Sequence, residues 1–246
     1  MANIYTLNFK IIFSVLLYFL VGCTEKSEKI ELIKQASLQE ILTIGGESEP
    51  LDGTPILSMV FDAVTDGHGN IHLVDPGTNQ VHSYGINGSY LRSLGGRGEG
   101  PGEFQSITSL TVDGENRLYV YDSMLSRLTV FTIDGDIYDM YRFKTGRNII
   151  NQIISLSDNR IAFPLIIENK LVHIYSLTNE QLEKSLVDIE SVLRTGNDLE
   201  KEFKNDFPGS VLAIGNDIII YVPLYYGGVF HLYEQTRSGK WRKKKR

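Results

Sequence analysis

From about residue 60 onward the chain alternates apolar and polar positions at period two, in short runs broken by turn residues. Residues 106–114, SITSLTVDG, alternate in this way and close on an Asp-Gly dipeptide. Residues 118–132, LYVYDSMLSRLTVFT, supply two further runs around a short polar break, and Asp134-Gly135 follows them. Such alternation turns one face of each run toward a core and the other toward solvent, the pattern of strands and not of helices. The Asp-Gly pairs tolerate positive φ and favour tight hairpins. Four antiparallel strands are predicted over residues 108–113, 117–122, 128–132 and 137–143.

The pattern repeats. Asp66-Gly67 returns as Asp113-Gly114, Ile71 as Leu118, Leu73 as Val120, Asp75 as Asp122, Tyr84 as Phe131 and Asn87-Gly88 as Asp134-Gly135, each 47 residues on. A gap-free repeat of a four-stranded meander is the signature of an all-β propeller built from blades. A weaker third unit shows in residues 159–163, NRIAF, which echo 116–120, with its next strand at 171–177. A fourth unit begins at 211–222 and continues through 229–234, and the charged stretch 198–207 between them reads as a solvated insertion. His82, His173 and His231 fall in third strands, at ordinary sheet positions.

The stretch LGGRGEGPGEF, residues 94–104, looks at first like a phosphate cradle. Its glycines miss the spacing of a dinucleotide fingerprint, no Gly-Lys-Ser or Gly-Lys-Thr closes it, and a strand follows where an anion site needs a helix N-terminus. It reads instead as the joint from the outermost strand of one unit to the innermost strand of the next, with Phe104 buried between blades. ILTIGG, at residues 41–46, opens a similar joint, so residues 41–44 are expected to form an outermost strand with no blade of their own.

GEGPGEF, then an inner strand ending in Asp-Gly, then LYVYD and a strand ending in an aromatic residue, together resemble NHL-type repeats. At the front, Lys10 precedes the apolar run 11–21, too short to span a bilayer and of the length of a signal-peptide core. It ends in LVGC, which resembles the lipobox of bacterial lipoproteins, and Cys23 is the only cysteine. The whole is similar to the six-bladed β-propeller lipoproteins of Bacteroidota. The resemblance implies that Cys23 is lipidated and holds the protein in the membrane, and Thr24, not an aspartate, after it favours the outer membrane. The expected layout is a signal peptide over 1–22, a linker over 23–40, blades over 41–236 and a basic tail over 237–246.

Charge narrows the partners. The mature chain carries 23 basic and 30 acidic residues, and six of the basic ones sit in the last seven positions. So acidic a body repels a phosphate backbone, and nucleic acid is excluded as a partner. A lone cysteine forms neither an internal disulfide nor a cysteine metal site. His68 and His72 do not share a helix face, and Asp134, Asp136 and Asp139 lack the glycine and distant glutamate of a calcium loop. No cofactor or metal is expected. NHL-like propellers include lactonases and lyases with a channel metal, but here only Asp62 and Ser109 are polar candidates near the axis. The favoured reading is a binding or scaffold module for a glycan, peptide or protein. Its candidate contacts are the joint-loop residues Arg97, Glu99, Glu103 and Gln105; the alternative is a propeller hydrolase or lyase.

Six units of 47 residues would need about 282, whereas 206 run from Ile41 to the end. The sequence therefore reads as about four blades of a six-bladed arc with a free basic tail, the alternative being a four-bladed ring closed by residues 41–44 beside 229–234.

Overall fold

The computed structural model describes residues 39–45, 53–143, 150–188, 210–214, 218–222 and 231–244. Residues 1–41 and 42–246 are separate units. Of the first, residues 39–41 are described; they carry no strand, and Ile41 is 91% exposed.

The second unit is all-β among its described residues. Its first sheet contains β1 (Asp62–Thr65), β2 (Ile71–Asp75), β3 (Gln80–Tyr84) and β4 (Tyr90–Gly95). The second contains β5 (Ile107–Val112), β6 (Leu118–Asp122), β7 (Arg127–Phe131) and β8 (Ile137–Arg142). The third contains β9 (Ile154–Leu156), β10 (Arg160–Ile167), β11 (Lys170–Ser176) and β12 (Gln181–Asp188). The fourth contains β13 (Ser210–Ile214), β14 (Ile218–Val222), β15 (His231–Gln235) and β16 (Trp241–Lys243). Every sheet is an antiparallel meander in chain order. The first strands pack on one another in sequence, β1 on β5, β5 on β9 and β9 on β13, and so lie innermost. These are four blades of a β-propeller.

Each seam between blades is a separate apolar cluster. Val74, Val81, Phe104 and Val120 fill the first, Tyr121, Leu128, Phe143 and Phe163 the second, and Ala162, Ile174, Val211 and Tyr221 the third. The middle seam is the most aromatic: Phe143 meets Tyr121, Phe163 and Tyr175 at centroid distances of 5.8, 6.2 and 4.7 Å. Inner strands are buried on both faces, as in β6 and β7, while outermost strands such as β8 face water.

The hairpins between first and second strands work differently from the Asp-Gly expectation. Gly67 and Gly114 keep ordinary φ, and the left-handed position falls two residues later, at Gly69 (φ 81°) and Asn116 (φ 61°). The aspartate shapes the turn with its side chain: Asp66 Oδ1 accepts the N–H groups of His68 and Asn70, and Asp113 Oδ1 those of Glu115 and Arg117, all at 2.9 Å. The joint behaves as its composition predicts. Gly95, at φ 95°, lies so close to Phe104 that an added Cβ would stand 2.6 Å from the ring, and Phe104 is fully buried.

Two expectations are corrected. Residues 41–45 form no strand, although Leu42 abuts the Gly88 turn as Arg92 abuts the equivalent Gly135 turn one blade on. A strand needs a ladder partner, and β15 lies between β14 and β16, so among the described residues this segment does not pair with the fourth sheet to close a four-bladed ring. The tail, in turn, is not wholly free. Trp241–Lys243 pairs with β15 as the outermost strand of the fourth sheet, and Arg242 lies opposite Glu234 with a 3.7 Å ion pair. An outermost strand does not need apolar alternation, so its charges stay in water. Residues 198–207, 245 and 246 lie outside the described residues.

Candidate functional site

The inner strands present two ends, one at the joints and one at the first hairpins. At the joint end an aspartate closing the second strand clamps the incoming chain. Asp75 accepts from Ser58 N at 2.8 Å and Ser58 Oγ at 2.5 Å, and Asp122 accepts from Gln105 N at 2.6 Å and Ser106 N at 3.3 Å. Burial pushes the Asp75 carboxyl up, but the donors from Ser58, Gly77 and Thr78 outweigh it and hold the group below its ordinary value.

All four sequence candidates lie in or beside this loop. Gln105 donates to Glu99 Oε1, and Gly100 N donates to Glu103 Oε2 at 2.9 Å. Arg127, only 4% exposed, reaches in from β7 and donates to the carbonyls of Glu99, at 2.8 Å, and Glu103. Burial lowers its pKa even so. Glu99, Glu103 and Gln105 are thus tied into the loop's own bonds. Arg97 is exposed and forms no ion pair among the described residues. Cys23 lies outside the described residues.

At the hairpin end, blades two, three and four line an open cavity of about 1040 Å³. Val112, Ile154, Leu212 and Ala213 give it an apolar wall, and Thr111, Ser155, Ser157 and Thr178 line it with hydroxyls. Asp113 anchors its rim, accepting from Arg117 Nε at 2.6 Å and Tyr119 Oη at 3.0 Å. Burial opposes the Arg117 charge, but Asp113 and Glu115 keep it firmly protonated; burial and the Asp113 charge push the Tyr119 hydroxyl well up. Neither residue titrates near neutrality. Glu115 and Asp158 occupy equivalent hairpins of consecutive blades, and their side chains are 75% and 83% exposed. The sequence did not point to this cavity, because its walls come from three blades whose facing is set by how consecutive blades pack; the one signal was the shared hairpin register of residues 113–117 and 156–160.

His72, His82 and His173 are structural. His72 bonds Ser83 Oγ at 2.9 Å and Asp66 at 3.4 Å, His82 bonds Ser93 Oγ at 2.6 Å, and His173 bonds Ser185 Oγ and the Leu165 carbonyl at 2.9 Å. Burial lowers all three pKa values. Ser83 has no exposed surface, so the Asp66–His72–Ser83 chain offers no nucleophile. Asp134, Asp136 and Asp139 are exposed, and among the described residues no group of three or more His, Cys, Asp or Glu could hold a metal.

Consecutive four-stranded meanders, seamed face to face around a line of innermost strands with a cavity beside it, define a β-propeller with a candidate ligand pocket. The chain belongs to the DUF5128 family, 6-bladed beta-propeller, whose model matches residues 60–234. No curated protein matches the sequence. Among solved structures it is similar to a protein of Bacteroides fragilis described as exported, with 10% identity, 79% of this chain and 52% of that one covered, and a TM-score of 0.59. It is also similar to a streptogramin B lyase (17% identity, 78% and 56% covered, TM-score 0.51) and to the WD40 repeats of RRP9 (8% identity, 75% and 50% covered, TM-score 0.52). The chain spans about half the length of these structures, and the likeness is one of fold.

Proposed function

We propose that this protein is a binding module of the cell envelope, held to the outer membrane by a lipidated Cys23, with a glycan, peptide or protein segment seated in the hairpin-end cavity. The observation that carries the reading is the cavity itself. Apolar side chains and hydroxyls share its walls, while its most strongly interacting charged groups, Asp113 and Arg117, already satisfy each other. A site of this kind holds a ligand by shape and hydrogen bonds. The LVGC motif and the fold likeness to an exported Bacteroides protein support the location. The joint loop, with exposed Arg97 beside Glu99, Glu103 and Gln105, is the second contact face.

Glycan and peptide arrays probed with the full chain test the reading. Thr178→Trp, at the cavity mouth, is expected to lower binding of any hit at least tenfold while Arg97→Glu leaves it unchanged. The reverse pattern moves the site to the joint loop, and one calcium or zinc per chain surviving dialysis overturns the reading in favour of a metal-dependent enzyme. For the anchor, a palmitate analogue is expected to label the wild type and not Cys23→Ala; an unlabelled wild type removes the envelope assignment.

A further inference from the structure

Polar side chains stitch neighbouring blades together as well as apolar ones. Near the start of each inner strand one oxygen-bearing side chain accepts a backbone N–H of the next blade: Asp62 Oδ2 from Leu110 N at 3.1 Å, Ser109 Oγ from Ile153 N at 3.1 Å, and Gln152 Oε1 from Val211 N at 2.9 Å. At the first hairpins the bond runs the other way, from an N–H of one blade to a side chain of the next. Asn116 Oδ1, on the second hairpin, accepts from Gly67 N on the first at 2.7 Å. Gly114 is the equivalent of Gly67 one repeat on, and among the described residues its N–H has no acceptor.

The residue in position to meet it is Asn159. It stands directly before Arg160 as Asn116 stands before Arg117, and both asparagines are left-handed, at φ 56° and 61°. Asn159 Nδ2 donates instead to Thr178 Oγ1 of its own blade at 3.3 Å. The difference begins in the turn. Asp66 and Asp113 each accept two N–H groups of their hairpins, whereas Leu156 holds that position in the third blade, and there Asp158 as well as Asn159 takes a positive φ. A second left-handed residue makes a different turn and re-aims its side chains. A Cβ added to Gly67 would stand 2.8 Å from Asn116 Oδ1, while one added to Gly114 meets nothing within 4 Å. Gly114, Asn159 and Thr178 all line the hairpin-end cavity.

Taking that cavity as the binding site, as proposed above, we infer that its ligand is a peptide whose amide carbonyl accepts the Gly114 N–H, in the place that Asn116 Oδ1 holds at Gly67. The oxygen that fills the twin position is a neutral carboxamide. An anionic oxygen is disfavoured, because Asp113, Glu115 and Asp158 outnumber Arg117 and the adjacent Arg160. The wall of Val112, Ile154 and Leu212 suits the aliphatic side chains that flank such an amide. A sugar ring would call for an exposed aromatic face, and Tyr119, the aromatic residue of the lining, is 2% exposed.

The probes are acetyl-Leu-Asn-Val-amide and its anionic counterpart acetyl-Leu-Asp-Val-amide, titrated into the isotope-labelled full chain and followed by nuclear magnetic resonance. In the free protein the Gly114 amide is expected to exchange with water at least tenfold faster than the Gly67 amide; equal rates overturn the inference, since the N–H would then already be bonded. On titration with the asparagine peptide the Gly114 resonance is expected to move downfield while that of Gly67 stays, and the aspartate peptide to bind at least fivefold more weakly. Gly114 holds the first corner of its turn at an ordinary φ, a position that accommodates proline, so Gly114→Pro deletes the N–H and keeps the hairpin. It is expected to lower affinity for the asparagine peptide at least tenfold. Binding that Thr178→Trp abolishes and Gly114→Pro leaves intact overturns the inference and keeps the cavity as the site; binding that neither variant weakens overturns both. The Gly114 resonance carries the test without any variant: no shift with the asparagine peptide at millimolar concentration overturns the inference, as does a shift produced by an N-acetylglucosamine oligomer and not by the peptide.

Discussion

Asp75 and Asp122 show how much a single recurring residue does in this fold. Each closes a second strand, is fully buried, and satisfies the backbone of a joint arriving from a different strand. Removing the Asp122 carboxylate orphans the N–H groups of Gln105, Ser106 and Leu125. Asp122→Ala is therefore expected to cost about 2–4 kcal/mol in urea denaturation, since buried donors left unpaired carry their full desolvation penalty. The buried imidazoles add a pH dependence of definite sign. His72, His82 and His173 hold pKa values below the ordinary 6.5 because burial disfavours the cation. The unfolded chain then binds more protons than the folded one between the two values, so stability is full above about pH 6.5 and falls as pH drops below it. Asp75, whose folded pKa is lowered, withdraws its contribution further down, below about pH 3.8. Melting temperatures are expected to decline from pH 7.5 to pH 5; a flat profile would show that the three imidazoles protonate as readily in the folded protein as in the unfolded chain.

Among the elements, burial separates strands that tolerate change from those that do not. Phe104→Ala is expected to cost about 3–5 kcal/mol, because the ring fills a seam and sits 6.3 Å from Phe131. Met140→Ala, on outermost β8 where the side chain is 41% exposed, is expected to cost under about 1 kcal/mol. The same contrast explains what could be read from the sequence. Predicted strands in the second unit fall within one residue of β5 to β8, because strands with one solvated face or clean Asp-Gly and Asn-Gly punctuation declare their period. The short β9, the outermost β12 and the charged β16 escaped, since three residues show no period and a strand in water needs no apolar alternation. The repeat also marked Asp75 and Asp122 without revealing why, as their partners lie 17 residues upstream, before the first strand of the same blade.

For the whole molecule, the important fact is that each blade packs on its neighbours and on little else, so stability behaves as a chain of seams. The cavity belongs to this scale too: residues from 111 to 213 line it, and only the packing of three consecutive blades brings them together. Asp62 and Ser109 were visible as polar residues near the axis, but their role as seam acceptors emerges only when Gln152 is seen at the same register. The third seam can be tested alone because Trp241, the only tryptophan, reports on the fourth sheet while far-ultraviolet dichroism reports on all of them. Gln152→Ala removes the acceptor for Val211 N and leaves the other seams intact. In wild type the two signals are expected to share one urea midpoint; in Gln152→Ala the tryptophan signal should move to lower urea than the dichroism. Coincident midpoints in the variant would mean that the apolar cluster around Val211 and Tyr221 couples the fourth blade without help from the polar stitch.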